Sequence, residues 1–268
     1  QMTDTPAPYA SEAKCNQGSL LSIEEVPPWL RFNPFIRTGY RPQMTVPEAL
    51  LSLFSWHNES VNVWLHVVGA VIFLYVLWIA EDLVPGSLMF KASLGSVICV
   101  FVASCAYHLM MPCCTTQPGY HRLVNCDVLS CMLSITTTGL SFTVLGYRCA
   151  SDGVLTCSTV LLLLSAAALT RAIPNTRTTA AGRVKLFGFH CLLRLSLCVV
   201  IVFPKVVHHG FHLSFYYHVS SFFLLVGGGM LNGLRIPERW LPHVRWMDFA
   251  LNSHNLWHYL CVIASASS

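Results

Sequence analysis

Charge is what this chain has least of. Asp, Glu, Lys and Arg together make up 10% of its 268 residues, against roughly a quarter in soluble domains. So few charged side chains do not suit a soluble fold of this size. The sequence also has no Gly-rich nucleotide loop, no nucleic-acid motif and no internal repeat. Its 12 cysteines include no CxxC pair and mostly fall within apolar runs, where they act as small buried hydrophobes. The opening stretch, Gln1 to Ser22, has no apolar core of the kind a signal peptide carries, and it is expected to be mobile. No run alternates polar and apolar over ten residues, which leaves nothing from which to build a transmembrane barrel.

What the chain does have is long apolar runs. Seven lie near the ~20 residues that a spanning helix needs: Asn62 to Ala80, Ala92 to Met110, Val124 to Leu145, Val154 to Thr170, Leu186 to Phe203, Leu213 to Leu231, and Val244 to Ala264. The expectation is an all-α, multi-pass membrane protein built as a seven-helix bundle. Lys and Arg set its orientation, because cytoplasmic loops collect them. The N-terminal region and the second, fourth and sixth loops hold twelve, and the other three loops hold only Lys91, Arg148 and Lys205. That places the N-terminus in the cytoplasm and the C-terminus outside or in a lumen. The remaining cation, Arg194, falls inside the fifth run and is expected to face the bundle or a polar cavity, as a buried charge paired with a carbonyl or carboxylate.

Three regions follow. Residues 1–44 form a cytoplasmic N-terminal segment. Within it VPPWLRFNPFIRTGYRP, Val26 to Pro42, mixes aromatics with arginines in a way that suits the inner headgroup layer. Residues 45–61 begin with Thr45 and Glu48, a T-x-x-E capping signature ahead of Leu50, Leu51 and Phe54, which predicts a short helix lying on the membrane surface. His57, Asn58, Glu59, Asn62 and His66 then gather at the entrance of the first spanning helix, either as solvated headgroup contacts or as a functional mouth. Residues 62–268 are the transmembrane domain.

Polar groups inside hydrocarbon are expensive, and that marks the candidate site. His254 and His258 are four residues apart in the last run, so on a helix both imidazoles share one face. Ser104 and His108 have the same spacing near the inner end of the second helix, and Asp127 lies just inside the third. His254, about ten residues past Val244, reads as roughly 15 Å deep, deeper than His108. A late entry of the sixth loop into the membrane would bring His108, His254, His258 and Asp127 to one level. Three imidazoles and an acid fit a catalytic zinc site, in which three protein nitrogens leave one position for water and the ion lowers the pKa of that water to ~7. Asp127 would hold or deprotonate the water. Ser104 would orient His108 or stabilise an oxyanion. Imidazoles also suit Cu, Fe and Ni, so Zn2+ is an inference.

The order NPFIRTGYRP, HNESVNVWLH, Ser104-x3-His108, Asp127, IPERW and NSHNLWH resembles the progestin and adipoQ receptor family from Pro27 to Ala264. The resemblance implies seven helices, a cytoplasmic N-terminus, and zinc near the inner leaflet on the residues matching His108, His254 and His258. Asp127 matches the acid at the water and Ser104 the serine of the second-helix motif. The family resembles alkaline ceramidases in these motifs, which implies hydrolysis of ceramide to sphingosine and fatty acid. Two function classes stay open. One is a zinc amide hydrolase with a lipid, ceramide or free fatty acid, in an intramembrane cavity. The other is a receptor or scaffold whose zinc only staples helices. The resemblance places the protein in the plasma membrane or in Golgi or other endomembranes.

Overall fold

The computed structural model describes residues 19–146, 152–174, 180–210 and 213–267. Most of the polar opening stretch, and Lys14, Arg148 and Arg177 from the orientation count, lie outside the described residues. Among the described residues the only β pairing is an isolated bridge between Leu21 and Tyr40. Everything else regular is helical. The short helix α1, Val46–Leu51, starts where the T-x-x-E signature predicts, with the Glu48 carboxylate accepting from both the Thr45 backbone N–H and its hydroxyl, each at 2.8 Å. Its Val46, Leu50 and Leu51 and the adjoining Phe54 and Trp56 are exposed.

The longer helices are α2 (Ser60–Trp78), α4 (Leu88–Met110), α5 (Gln117–Gly146), α6 (Asp152–Ala172), α7 (Ala180–His209), α8 (Leu213–Leu234) and α9 (Ser253–Ala266), with a single turn, α3 (Ala80–Leu83), after α2. Among the described residues four stretches are long and apolar enough to cross a membrane: Ser60–Trp78, Leu88–Cys113, Gln117–Phe142 and Gly153–Ala172. The chain is therefore a helical membrane protein. Helix α2 packs on α4, α4 on α5, α5 on α6 and α7, α7 on α8, α8 on α9, and α9 returns to α2. Small residues allow two of these approaches. A Cβ on Gly69 would stand 2.7 Å from the Phe101 ring, and one on Gly228 would stand 2.9 Å from Trp257. Of the glycines that end α8, Gly228 and Gly229 meet Trp257 while Gly227 and Gly233 face open space, so close packing is limited to one side of the run. Arg194 is buried, as its position within an apolar run requires, and donates to His218 Nδ1 at 3.3 Å.

One boundary differs from the hydropathy reading. The last apolar run begins at Val244, yet α9 begins at Ser253 and has 14 residues. Arg245–Asp248 form a 3-10 turn instead, and Met247 and Asp248 are buried. Asp248 accepts from the backbone N–H groups of Arg37 and Thr38, both at 3.1 Å, and from the Thr38 hydroxyl at 2.6 Å. Phe249 packs beside Gly39 of the N-terminal segment and stacks on Trp56, with ring centroids 6.3 Å apart. Asn252 then caps α9, its Oδ1 accepting from His254 N and Asn255 N.

The N-terminal segment is correspondingly well anchored. Val26, Leu30, Ile36 and Tyr40 form one core with Tyr107, Met111 and Tyr120 of the α4–α5 turn. Arg41 is buried and donates to the last carbonyls of α4, His108 O at 2.6 Å and Leu109 O at 3.1 Å, and to Ser52 Oγ at 2.8 Å. A cation at a helix C-terminus is electrostatically favoured. Burial lowers its pKa to about 10, so it stays protonated at neutral pH.

His57 lies in the same layer, almost fully buried, with its Nδ1 accepting from Glu59 N at 3.1 Å. Burial, and then the Arg41 charge, lower its pKa to about 4 from the ordinary 6.5. The unfolded chain binds the extra proton first as pH falls, so this residue's contribution to stability is complete above 6.5 and is lost towards 4. The expected loss is about 3 kcal/mol across that window. His57→Asn keeps an acceptor for Glu59 N but does not titrate, so thermal melts of this variant should fall less steeply than wild type between pH 6.5 and 4. Parallel slopes would reject the assignment.

Candidate metal centre

The centre forms where α2, α4 and α9 meet. His108 lies on the last turn of α4. The late start of α9 puts His254 in its first turn and His258 in its second, which removes the depth mismatch that a helix from Val244 implied. His258 Nε2 is 3.0 Å from His108 Nε2 and 3.0 Å from His254 Nε2. Ligand nitrogens around a tetrahedral zinc with bonds of ~2.0–2.1 Å stand roughly 3.3 Å apart, so these spacings suit one ion.

Two neighbours fix which nitrogens carry protons. The Glu59 carboxylate lies 2.8 Å from His108 Nδ1, and the Asn232 carbonyl lies 3.2 Å from His254 Nδ1. Both partners are acceptors, so each ring places its N–H on Nδ1 and turns the Nε2 lone pair towards His258. His258 Nε2 has one proton at most and cannot satisfy both lone pairs, whereas a cation can. For Glu59 itself, burial raises the pKa, but the adjacent His108 and the hydrogen bonds from His108 and Asn62 outweigh that and hold it at about 2. Asn62 donates to Glu59 Oε2 at 2.6 Å.

Ser104 lies one turn before His108 on the same face of α4. Its hydroxyl donates to the Asp127 carboxylate of α5 and does not orient His108, because α5 flanks that face while His108 Nδ1 points towards α2. Glu59, read from sequence as an entrance residue, does the orienting. His66 also belongs here. Ligand atoms of His66, His108 and His258 all lie within 4.8 Å of one another, and the three residues are buried. His254 adjoins this group through the 3.0 Å contact of its Nε2 with His258 Nε2, its ring centroid 5.2 Å from that of His108. The spacing of Glu59, Asn62 and His66, at i, i+3 and i+7, is the signal that sets all three on one helix face.

A cleft of about 10 Å³ lined by Phe32, Asn33, Ile36, Asn58, Glu59, Asn62, Asn252 and His254 lies beside the centre. That is room for one water molecule among polar partners.

A helical membrane protein with buried imidazoles converging from distant helices defines the class. Residues 54–268 match the family model described as Haemolysin-III related, and the chain belongs to that family. It is 31% identical to mouse progestin and adipoQ receptor family member 4 over 255 residues, 91% of this chain and 88% of that protein. It is 26% identical to an ADIPOR-like receptor of Eremothecium gossypii, covering 92% and 81% of the two chains. It is 24% identical to heptahelical transmembrane protein 3 of Arabidopsis thaliana, covering 92% and 84%.

Proposed function

We propose that this chain is a seven-helix membrane hydrolase that uses zinc on His108, His254 and His258 to cleave the amide of ceramide-type sphingolipids. The observation that supports it most is that His258 Nε2 lies 3.0 Å from both His108 Nε2 and His254 Nε2, with the outer nitrogens of His108 and His254 engaged by Glu59 and Asn232. In this reading α2 and α4 to α9 are the seven spans, the N-terminus is cytoplasmic, and α1 rests its exposed apolar side chains in the inner leaflet of a plasma or endomembrane. The name of the Arabidopsis relative and the twelve-to-three charge bias support that arrangement.

A zinc ion here would polarise the amide carbonyl and make hydroxide available near neutral pH. Asp127, held by Ser104, takes the proton of the attacking water and returns it to the departing amine, leaving a fatty acid and sphingosine. Glu59 and Asn232 keep the rings in one tautomer throughout. The polar cleft beside His254 supplies water from the side of the N-terminal segment, and the acyl chain lies between apolar helices.

A second reading, a receptor in which the ion only staples α4 to α9, is favoured by the receptor names of the relatives. Elemental analysis with a ceramide product assay separates the two. The hydrolase reading expects one zinc per chain and fatty acid release that stops on chelation and returns on zinc addition. Zinc-loaded protein that hydrolyses no ceramide tested, and that loses only thermal stability on chelation, would favour the staple.

A further inference from the structure

We infer that the cap formed by the N-terminal segment and the α8–α9 loop binds an anionic lipid headgroup bearing phosphomonoesters, through Arg37, Arg239 and Arg245. The inference needs only a helical membrane protein and is independent of the metal and of hydrolysis. Two buried carboxylates assemble the cap. Glu238 accepts from Asn33 Nδ2 at 2.8 Å, and Asp248 accepts from the backbone N–H groups of Arg37 and Thr38, each at 3.1 Å. Arg239 follows Glu238 directly, and Arg245 opens the 3-10 turn that Asp248 ends. Arg37 and the other two arginines, more than 200 positions apart in the chain, are thereby brought to one surface.

The same tethers remove negative charge from that surface. Glu238 and Asp248 are the only acids after Arg235, and both are buried with their oxygens turned to the N-terminal segment. Arg37, Arg239 and Arg245 are exposed, and among the described residues no ion pair or side-chain hydrogen bond engages them. Glu24 and Glu25 are exposed on the run beside Arg37, but Glu25 is turned to Ser22, accepting its N–H at 2.7 Å and its hydroxyl at 2.8 Å. Arg31 is excluded from the group because it folds back on Val26 O at 2.7 Å and Glu24 O at 2.9 Å. A guanidinium with its donors unengaged presents a fixed fork that matches the oxygens of a phosphate. A general bias of cations to one side of a membrane needs no such arrangement. Here the acids between the cations are turned inward as well.

What surrounds the arginines fits a bilayer surface. Trp240 and Trp246, each next in sequence to one of them, are 69% and 53% exposed, and Trp56 is exposed beside Phe249. Indole rings left open on a membrane protein sit among headgroups, where the apolar body and the N–H both find partners. Three unpaired guanidiniums on one cap call for more negative charge than phosphatidylserine carries, and a headgroup with added phosphates supplies it. In the orientation proposed above, that lipid belongs to the inner leaflet.

Full-length protein in uncharged detergent, offered equal amounts of phosphatidylcholine, phosphatidylserine and phosphatidylinositol bisphosphate, reports its preference by native mass spectrometry. Each arginine near a charged lipid surface contributes about fivefold, so wild type should retain the bisphosphate lipid about tenfold or more over phosphatidylserine. Arg37→Gln, Arg239→Gln and Arg245→Gln combined should weaken that retention by about a hundredfold. Lys91→Gln, at the opposite end of α4 from the cap, should leave it unchanged. Raising salt from about 0.1 to 1 M, which shortens the screening length from about 10 to 3 Å, should weaken it too. Equal retention of the two anionic lipids, or an unchanged preference in the triple variant, would overturn the inference. So would complete displacement of the lipid by an equal concentration of inorganic phosphate, since the free anion would then be the ligand. If the triple variant does not fold, the lipid preference and salt dependence of wild type decide. None of these readouts involves zinc or ceramide, so failure here leaves the hydrolase reading untouched.

Discussion

Asp127→Asn is expected to retain zinc and the fold while fatty acid release from ceramide falls by about 10²–10⁴, the range carried by a positioned proton-transfer group. The substitution is nearly isosteric, and the amide oxygen still accepts the Ser104 hydroxyl that now bonds to the carboxylate. What it removes is the ability to take a proton and give it back. The histidines and their partners Glu59 and Asn232 are untouched, so zinc content should stay at the wild-type ratio. Measured together, zinc content and turnover make the result specific. Full turnover in Asp127→Asn would remove this residue from the chemistry, and loss of zinc along with turnover would make it part of the metal's hold.

The second large effect is expected on stability. Glu238 is 1% exposed, and its two oxygens accept from Asn33 Nδ2 at 2.8 Å, from Ser253 N at 2.7 Å and from the Ser253 hydroxyl. It joins the N-terminal segment to the first residue of α9, one position before His254. Glu238→Ala leaves those donors buried without a partner, at a cost of about 3–5 kcal/mol. The thermal midpoint in detergent should fall by roughly 10 °C, and amide exchange should accelerate across residues 33–40 and 252–256. Zinc affinity should weaken in parallel, since the start of α9 positions a ligand. Glu238→Gln keeps an acceptor and should lose less. A midpoint within a degree or two of wild type for Glu238→Ala would mean that the segment is held by its apolar contacts alone.

The parts of this structure that hydropathy and spacing reveal are those set by one local rule. The α1 cap follows from Thr45 and Glu48, and four long apolar helices follow from uninterrupted runs. The histidines stand out because each is a polar group in an apolar helix. The start of α9 is hidden because Met247 and Phe249 look the same to hydropathy whether they face lipid or pack within the protein. Only the Asp248 contacts with Arg37 and Thr38, more than 200 positions away, distinguish the two. Glu59 and His66 were hidden differently. They sit among Asn58, Asn62 and His57 in a stretch polar enough to suit headgroups, and nothing but their shared helix face hints at burial. Asn232 gives no signal in the sequence, since its role comes from the packing of α8 on α9.

The pairing of His108 with His258, 150 positions apart in the chain, also dictates an order of events as the chain is made. When α4 is complete, only His66 and His108, with Glu59 beside them, exist to meet an ion. The tight 3.0 Å contacts arise once the last helix has been synthesised and docked against α2 and α8. If the centre takes an ion as proposed, capture comes at the end of assembly, and a loaded centre would mark a finished molecule.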